Sequence, residues 1–429
     1  MFGFANFLLL ALFAATVFDL IFALARGGGL RGALHGLWNT PHLLFGQQLA
    51  EWRLQLGRIL FAAGLAAYEI SVVFCNSMAR QNWAWVQGVM SPVLEWLAFL
   101  CFGAKILFGT RYTWRELLAG GALYFIARWV YFNSQNIWWI GIVVAVLAAK
   151  DVSLRRPLQV YFASGCAAMA VVLALHFAGI VAPDLTSERM GALRGTYGYG
   201  HPNTFGGLVF GLVLAYALLR AQKVRWVDCL LVFAVGVFLL VGPASRSAAL
   251  CTLALAVGLV FCRLRAGHSV PRWWPGTCAG MVGLTAAVSY LLPLLVIKVG
   301  PWNNDIGPAW LAKLDSLLTC RISLTWMAYR LLDVKIAGQV FNWPTVDNSF
   351  AFALFQFGPV VAALLGILFA AALWGHAKQG RRVEVCCLFA MLAYAYMEVQ
   401  PFHLTTNPTA LLLCGAVFAQ TSARWQKIE

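Results

Sequence analysis

The chain has 429 residues, 61% of them hydrophobic and 11% charged, with a formal net charge of +15. A soluble domain of this size needs far more polar surface to stay dissolved, so the composition excludes one. Strictly alternating strands of about ten residues, the mark of a membrane barrel, are absent, which leaves a helical membrane protein.

From the amino terminus onward, about thirteen stretches are apolar over most of the roughly 20 residues that a helix needs to cross a bilayer. The first, 4–25, lacks a basic start and reads as an anchor, not a cleavable signal. Residues 26–58 carry Trp38, Leu43, Leu44, Trp52 and Leu54 among polar neighbours, the composition of a cytoplasmic segment lying along the membrane surface. Spans are expected at 59–79, 86–108, 117–133, 136–149 and 158–182, followed by an exterior loop over 183–203. Spans at 204–221, 227–242, 248–262 and 275–297 lead to the longest exterior loop, 298–346, which has helical patterning from Trp310 to Leu332. A loop of that length is more than a connector. The last spans are 349–375, 383–398 and 407–421.

The position of the charge says more than its total. Basic residues gather in every second loop: Arg26 and Arg31, Arg111 and Arg115, Lys150 with Arg155 and Arg156, Lys223 and Arg225. Arg263 and Arg265, Lys378 with Arg381 and Arg382, and finally Arg424 and Lys427 continue the series. The positive-inside rule makes these loops cytoplasmic, with the amino terminus outside and the carboxyl terminus inside. Charge so distributed describes a topology and calls for no nucleic-acid partner. The eleven cysteines lie mostly in apolar spans, without metal-ligand spacing or a disulfide framework, and read as small apolar filler.

Cations on the exterior side run against that rule: Arg80, Arg128, Arg189, Arg194, Arg246, Lys298, Lys313, Arg321, Arg330 and Lys335. Three short motifs fall where an outward-facing span begins. They are Tyr199-Gly200-His201-Pro202-Asn203-Thr204, Ser245-Arg246-Ser247 and Val346-Asp347-Asn348-Ser349-Phe350. Each helix start presents unpaired N–H groups and a positive dipole end, and with Arg194, Arg246 and Arg321 nearby they suit a phosphate-bearing ligand. The plainer alternative is that Asn203 or Thr204, Ser247 and Asn348 cap their helices. His201 by itself is more often structural than catalytic. Glu398, Glu69, Glu95 and Arg128 are ionisable groups at membrane depth, and Glu398 lies near the outer end of its span.

In order along the chain, these motifs resemble the bacterial superfamily of polysaccharide polymerases and O-antigen ligases, especially the Wzy-type polymerases. Arg194 followed by Gly198-Tyr199-Gly200-His201-Pro202-Asn203 is similar to the polymerase motif of an arginine, an aromatic-glycine pair and His-Pro-Asn. Ser245-Arg246 resembles the family's Ser-Arg pair, and Leu314-Asp315-Ser316-Leu317-Leu318 followed by Arg321 resembles its loop motif. Gly338, Asp347-Asn348-Ser349-Phe350 and Gly358-Pro359 resemble its closing motif, and Glu398 with Asn407 a distal one. The resemblance covers about residues 190–410. Thr319-Cys320 stands where Ser-Gly is expected and Phe350 where Tyr is usual. The ligases carry His at the position of Asp347, which favours a polymerase.

The resemblance implies an all-α, polytopic fold of the membrane glycosyltransferase C type, a single transmembrane domain over 1–429 with about 12–14 transmembrane helices. It also implies the bacterial cytoplasmic membrane, with the active site facing the exterior. The substrate would be an undecaprenyl-diphosphate-linked oligosaccharide, whose glycan is transferred onto the next lipid-linked repeat unit. A flippase and a chain-length regulator would be partners, alongside membrane lipid. Departure of a diphosphate needs charge neutralisation, for which Arg194, Arg246 and Arg321 with helix N-termini serve without metal or cofactor. Asp347, Glu398 or His201 is available as general base; Asp347 is the expected one, or at least orients the acceptor hydroxyl, with Glu398 as the fallback. Asn203, Ser245, Asn348 and Asp315 are expected to shape the site as helix caps. Two alternatives remain: an O-antigen-type ligase with another acceptor, and a flippase or transporter of lipid-linked oligosaccharide.

Overall fold

The computed structural model describes residues 2–25, 29–181, 187–189, 192–296 and 307–418. Arg26, Lys298, Arg424 and Lys427 lie outside the described residues, as do parts of both expected exterior loops. The fold is helical. Among the described residues, β structure is confined to two small antiparallel pairs, His42–Leu43 with Arg111–Tyr112 and Ser187–Arg189 with Ala192–Arg194, and one isolated bridge between Ser77 and Tyr199.

Eight of the described helices are long and apolar enough to cross a membrane: Gly3–Ala25, Ala50–Cys75, Val86–Phe108, Arg155–Phe177, Pro202–Leu219, Arg246–Leu264, Trp274–Leu295 and Pro359–Lys378. Three shorter apolar helices, Ile137–Ala148, Trp226–Val241 and Pro408–Val417, accompany them. A helix satisfies its own backbone, which is what a hydrocarbon solvent demands. The outer faces match that solvent. Val227, Leu230, Phe233 and Val241 of one helix are between 50% and 76% exposed, an arrangement that acyl chains favour and water does not. The chain is an all-α membrane protein.

It forms two compact units, residues 1–128, 140–208 and 410–429 in one, and residues 129–139 and 209–409 in the other. In the first, the helix Ala50–Cys75 packs against both Val86–Phe108 and Arg155–Phe177. Small residues allow the close approach, as they do between helices in membranes generally. A Cβ on Gly57 would meet the Gly109 carbonyl oxygen at 2.8 Å, and one on Gly64 would meet the Phe102 ring at 2.7 Å. In the second unit, Trp226–Val241 packs on Arg246–Leu264, which in turn packs on Arg382–Met397, and Trp274–Leu291 packs on Pro359–Lys378.

Three segments depart from their sequence expectation. The span expected at 349–375 is broken: a helical turn at Ser349–Phe352 and a π turn at Ala353–Phe357 end at Gly358, and a new helix runs Pro359–Lys378. Gly358 has φ +88° and ψ 165°, a conformation essentially reserved for glycine. Helical patterning from Trp310 to Leu332 yields two helices, Ala309–Leu317 and Arg321–Leu331, because Thr319 and Cys320 turn left-handed with φ 60° and 63°. The segment 26–58 is shorter than expected at the surface. It holds the helix Gly29–Asn39, with Ala33 and Leu37 buried and Leu30 and Trp38 exposed, while the next spanning helix already begins at Ala50.

Candidate functional site

Four distant segments of the second unit converge on one buried polar cluster. The first is the start of the helix Arg246–Leu264, where the chain turns through Pro243 and a left-handed Ala244 with φ 49°. Ser245 occupies the cap position, but its hydroxyl makes no capping bond and is buried without a partner, so the expected side-chain cap is corrected. Its carbonyl still accepts the N–H of Ala249 at 2.9 Å. Arg246 is exposed and Ser247 beside it is buried.

The second segment is the helix Arg321–Leu331. Its exposed N–H groups are satisfied from outside by Asp315, whose Oδ1 accepts from Ile322 N at 2.8 Å and Ser323 N at 3.1 Å. Asp315 Oδ2 accepts the Ser323 hydroxyl at 2.8 Å, which leaves Asp315 fully buried and the start of the helix held in place. Arg321 follows directly as the first residue of this helix.

The third segment begins with Asn348, whose Oδ1 caps the turn by accepting from Phe350 N at 2.9 Å and Ala351 N at 3.1 Å. Its Nδ2 donates to Ser289 Oγ at 3.1 Å, so the amide is held from both sides. Glu398 is the fourth contribution, in extended backbone just past the helix Arg382–Met397.

These four meet around one guanidinium. Arg321 Nη2 donates to Glu398 Oε1 at 2.7 Å and to Ser247 Oγ at 3.4 Å, and Nη1 donates to the Leu318 carbonyl at 2.8 Å. Its Nε donates to the Met397 carbonyl and lies 3.9 Å from Asp347 Oδ2. Ser247 also donates to Glu398 Oε1 at 2.8 Å, and Ser349 donates to the Glu398 carbonyl at 2.5 Å.

Burial sorts the carboxylates. The side chain of Glu398 is 7% exposed and that of Asp347 is 32% exposed. Asp347 is therefore open to solvent, whereas Glu398 is enclosed and answered by a guanidinium and a hydroxyl. Arg321 is also enclosed, at 9% exposure, with most of its donors spent on protein oxygens. Two carboxylates face this one cation, so the local charge is negative when both are ionised. The exposed Arg246 is one residue from the cluster.

The remaining expected residues lie in the first unit or apart from these bonds. Arg194 is buried and donates from Nη2 to Asn203 Oδ1 at 2.9 Å. The helix there starts at Pro202, so the cap position is His201, whose Nδ1 accepts from Asn203 N at 3.1 Å. That corrects the expected Asn203 cap. Asn407 organises its own turn, donating to the Pro401 carbonyl at 2.9 Å and accepting from Thr409 Oγ1 at 2.5 Å.

The sequence suggested Ser247 as a helix cap and Ser349 as a neighbour of one; Ser247 instead lies inside the helix that starts at Arg246, and its hydroxyl donates to Glu398. Their adjacency to those motifs was the available signal, but a hydroxyl's partner 49 or 151 residues away is not written locally. Gly338 and Gly358 gain a physical role as well. A Cβ on Gly338 would meet Gln356 O at 2.1 Å, and one on Gly358 would meet Ile336 O at 2.1 Å, so the two backbones clasp where only glycine fits. Comparison of the chain with protein-family models, with curated proteins and with solved structures finds no match.

Proposed function

We propose that this chain is a Wzy-type polysaccharide polymerase. It transfers a glycan from an undecaprenyl-diphosphate-linked donor onto a lipid-linked repeat unit at the exterior face of a bacterial cytoplasmic membrane. The observation that supports this reading is the convergence of Ser247, Arg321, Asp347, Asn348, Ser349 and Glu398 on one cluster in the second unit. Motifs separated by up to about 150 residues in the chain have a common physical purpose when they build one site.

In this reading the fold is of the glycosyltransferase C type with about 12–14 membrane crossings, the shorter helices included. Asp347 is the general base: it takes the proton of the acceptor hydroxyl as that oxygen bonds to the anomeric carbon. The bond from the anomeric carbon to the diphosphate oxygen breaks, and the lipid diphosphate leaves with the electron pair. Arg246, at an exposed position beside the cluster, supplies a guanidinium fork for that leaving charge, since two carboxylates already face Arg321. Arg321 orients Glu398 and adds positive field near Asp347. Flippase and chain-length-regulator partners belong to this reading too.

Purified full-length protein, given lipid-linked repeat units, tests it. Polymerase activity lengthens the glycan on its lipid. Transfer to a different acceptor makes the protein a ligase, and movement across a bilayer without new bonds makes it a flippase.

A further inference from the structure

The first unit carries a polar cleft that the cluster around Arg321 does not use. A cavity of about 420 Å³ opens between the end of the helix Ala50–Cys75 and the start of Pro202–Leu219. It is lined by Asn76, Arg80, Gln81, Gln87, His201 and Thr204, among others. The size falls within the range of ordinary small-ligand pockets. The cleft is built on backbone pairing, with Met78 N donating to Gly198 O at 2.8 Å and Ser77 bridging Tyr199. Tyr199 is fully buried beneath it, so the two walls are held in register by the Gly198-Tyr199-Gly200 segment.

Its chemistry is specific. Among the described residues, the carboxamides of Gln81 and Gln87 have no hydrogen-bond partner, and the Arg80 guanidinium has only the Cys75 sulfur at 4.0 Å. His201 accepts at Nδ1, which places the proton on Nε2 and makes that nitrogen a donor in the neutral ring. Carboxamides both donate and accept, as vicinal hydroxyl pairs require. Among the described residues, no carboxylate lines the cleft and one guanidinium does, so a negative substituent is welcome and a positive one is not.

We propose that this cleft is a sugar subsite, taking a hydroxyl-rich ring that bears a carboxylate. Gln81 and Gln87 read the hydroxyls, and Arg80 reads the acid. The assignment of that sugar to a lipid-linked repeat unit rests on the polymerase reading above. The binding itself does not.

Saturation-transfer NMR on the full chain in lipid nanodiscs tests the subsite, since maltoside detergents themselves carry sugars. Glucuronate, glucose and glucosamine are the probes, with inorganic pyrophosphate as competitor. Glucuronate is expected to bind saturably and best, and glucosamine worst. Arg80→Gln should weaken glucuronate about tenfold, the scale of a lost charge-assisted hydrogen bond, while leaving glucose unchanged. Gln81→Ala with Gln87→Ala should weaken all three sugars. The proposal is overturned if no sugar binds saturably or if glucosamine matches glucuronate. It is equally overturned if pyrophosphate displaces glucuronate at concentrations below the dissociation constant of glucuronate, for the cleft is then a phosphate site. If sugars bind as expected but lipid-linked units are never lengthened, the polymerase reading fails and the subsite stands.

Discussion

A carboxylate 2.7 Å from a guanidinium, with both nearly enclosed, is difficult to alter one side at a time. Glu398→Gln strands the Arg321 charge and should cost about 3 kcal/mol, the low end for a broken buried pair, because Asp347 stands 3.9 Å from the same guanidinium. Replacing both partners, Arg321→Met with Glu398→Leu, should recover most of that stability, since an apolar pair of similar volume needs no desolvation. Thermal unfolding of the purified variants checks both, and an unfolding temperature unchanged by Glu398→Gln would show that the pair contributes little. Asp347 tells a different story because its side chain is 32% exposed and Asn348 already caps the turn. Asp347→Asn should leave unfolding unchanged and lower polymer formation by about 10²–10⁴, the typical contribution of a general base. Near-normal turnover by this variant would remove Asp347 from catalysis.

At the scale of elements, the turn between Ala309–Leu317 and Arg321–Leu331 carries two left-handed residues in succession, Thr319 and Cys320. A side chain in that conformation costs about 1–2 kcal/mol, and glycine avoids the penalty while giving back part of it as unfolded-state entropy. Cys320→Gly should therefore stabilise the protein by about 0.5–1 kcal/mol without lowering activity. Denaturant titration measures it, and a destabilised variant would contradict the turn geometry. The same turn lets Asp315 reach across to Ile322 and Ser323, and so determines where Arg321 begins its helix. A second backbone device, the clasp of Gly338 and Gly358, ends the turn that starts at Ser349 and redirects the chain into Pro359–Lys378. A break at membrane depth is tolerable only where its freed backbone groups find partners, and Gln339 N donates to Gln356 O at 3.2 Å.

For the molecule as a whole, the alternation of basic loops predicts which face each segment meets. Cys320 is the one exposed cysteine of the eleven, and so a native reporter of the 298–346 loop. A membrane-impermeant maleimide applied to intact cells should label Cys320 from outside, with Cys320→Gly abolishing the signal. A cysteine introduced by Lys378→Cys, at an exposed position, should react only after the membrane is opened. The reverse pattern would invert the topology and remove the exterior site from the proposal.

Hydropathy and charge position determined the class of the molecule, because lipid and water impose their demands on every residue independently. They also located the capping amide of Asn348, whose bonds to Phe350 and Ala351 span two and three residues. The break at Gly358 was not legible within the apolar run 349–375, since the reason for it is the Ile336 carbonyl, more than twenty residues earlier. For the base, motif position favoured Asp347 with Glu398 as the fallback, although their residue types, like that of His201, allow the same proton chemistry. Burial and partners are not written locally. Tertiary structure encloses Glu398 with Arg321 and Ser247, leaves Asp347 partly open, and gives His201 a capping bond in the other unit. Burial and pairing are properties of segments meeting in space, and the meeting of residues 247, 321, 347 and 398 is decided by helix packing, not by any local pattern along the chain.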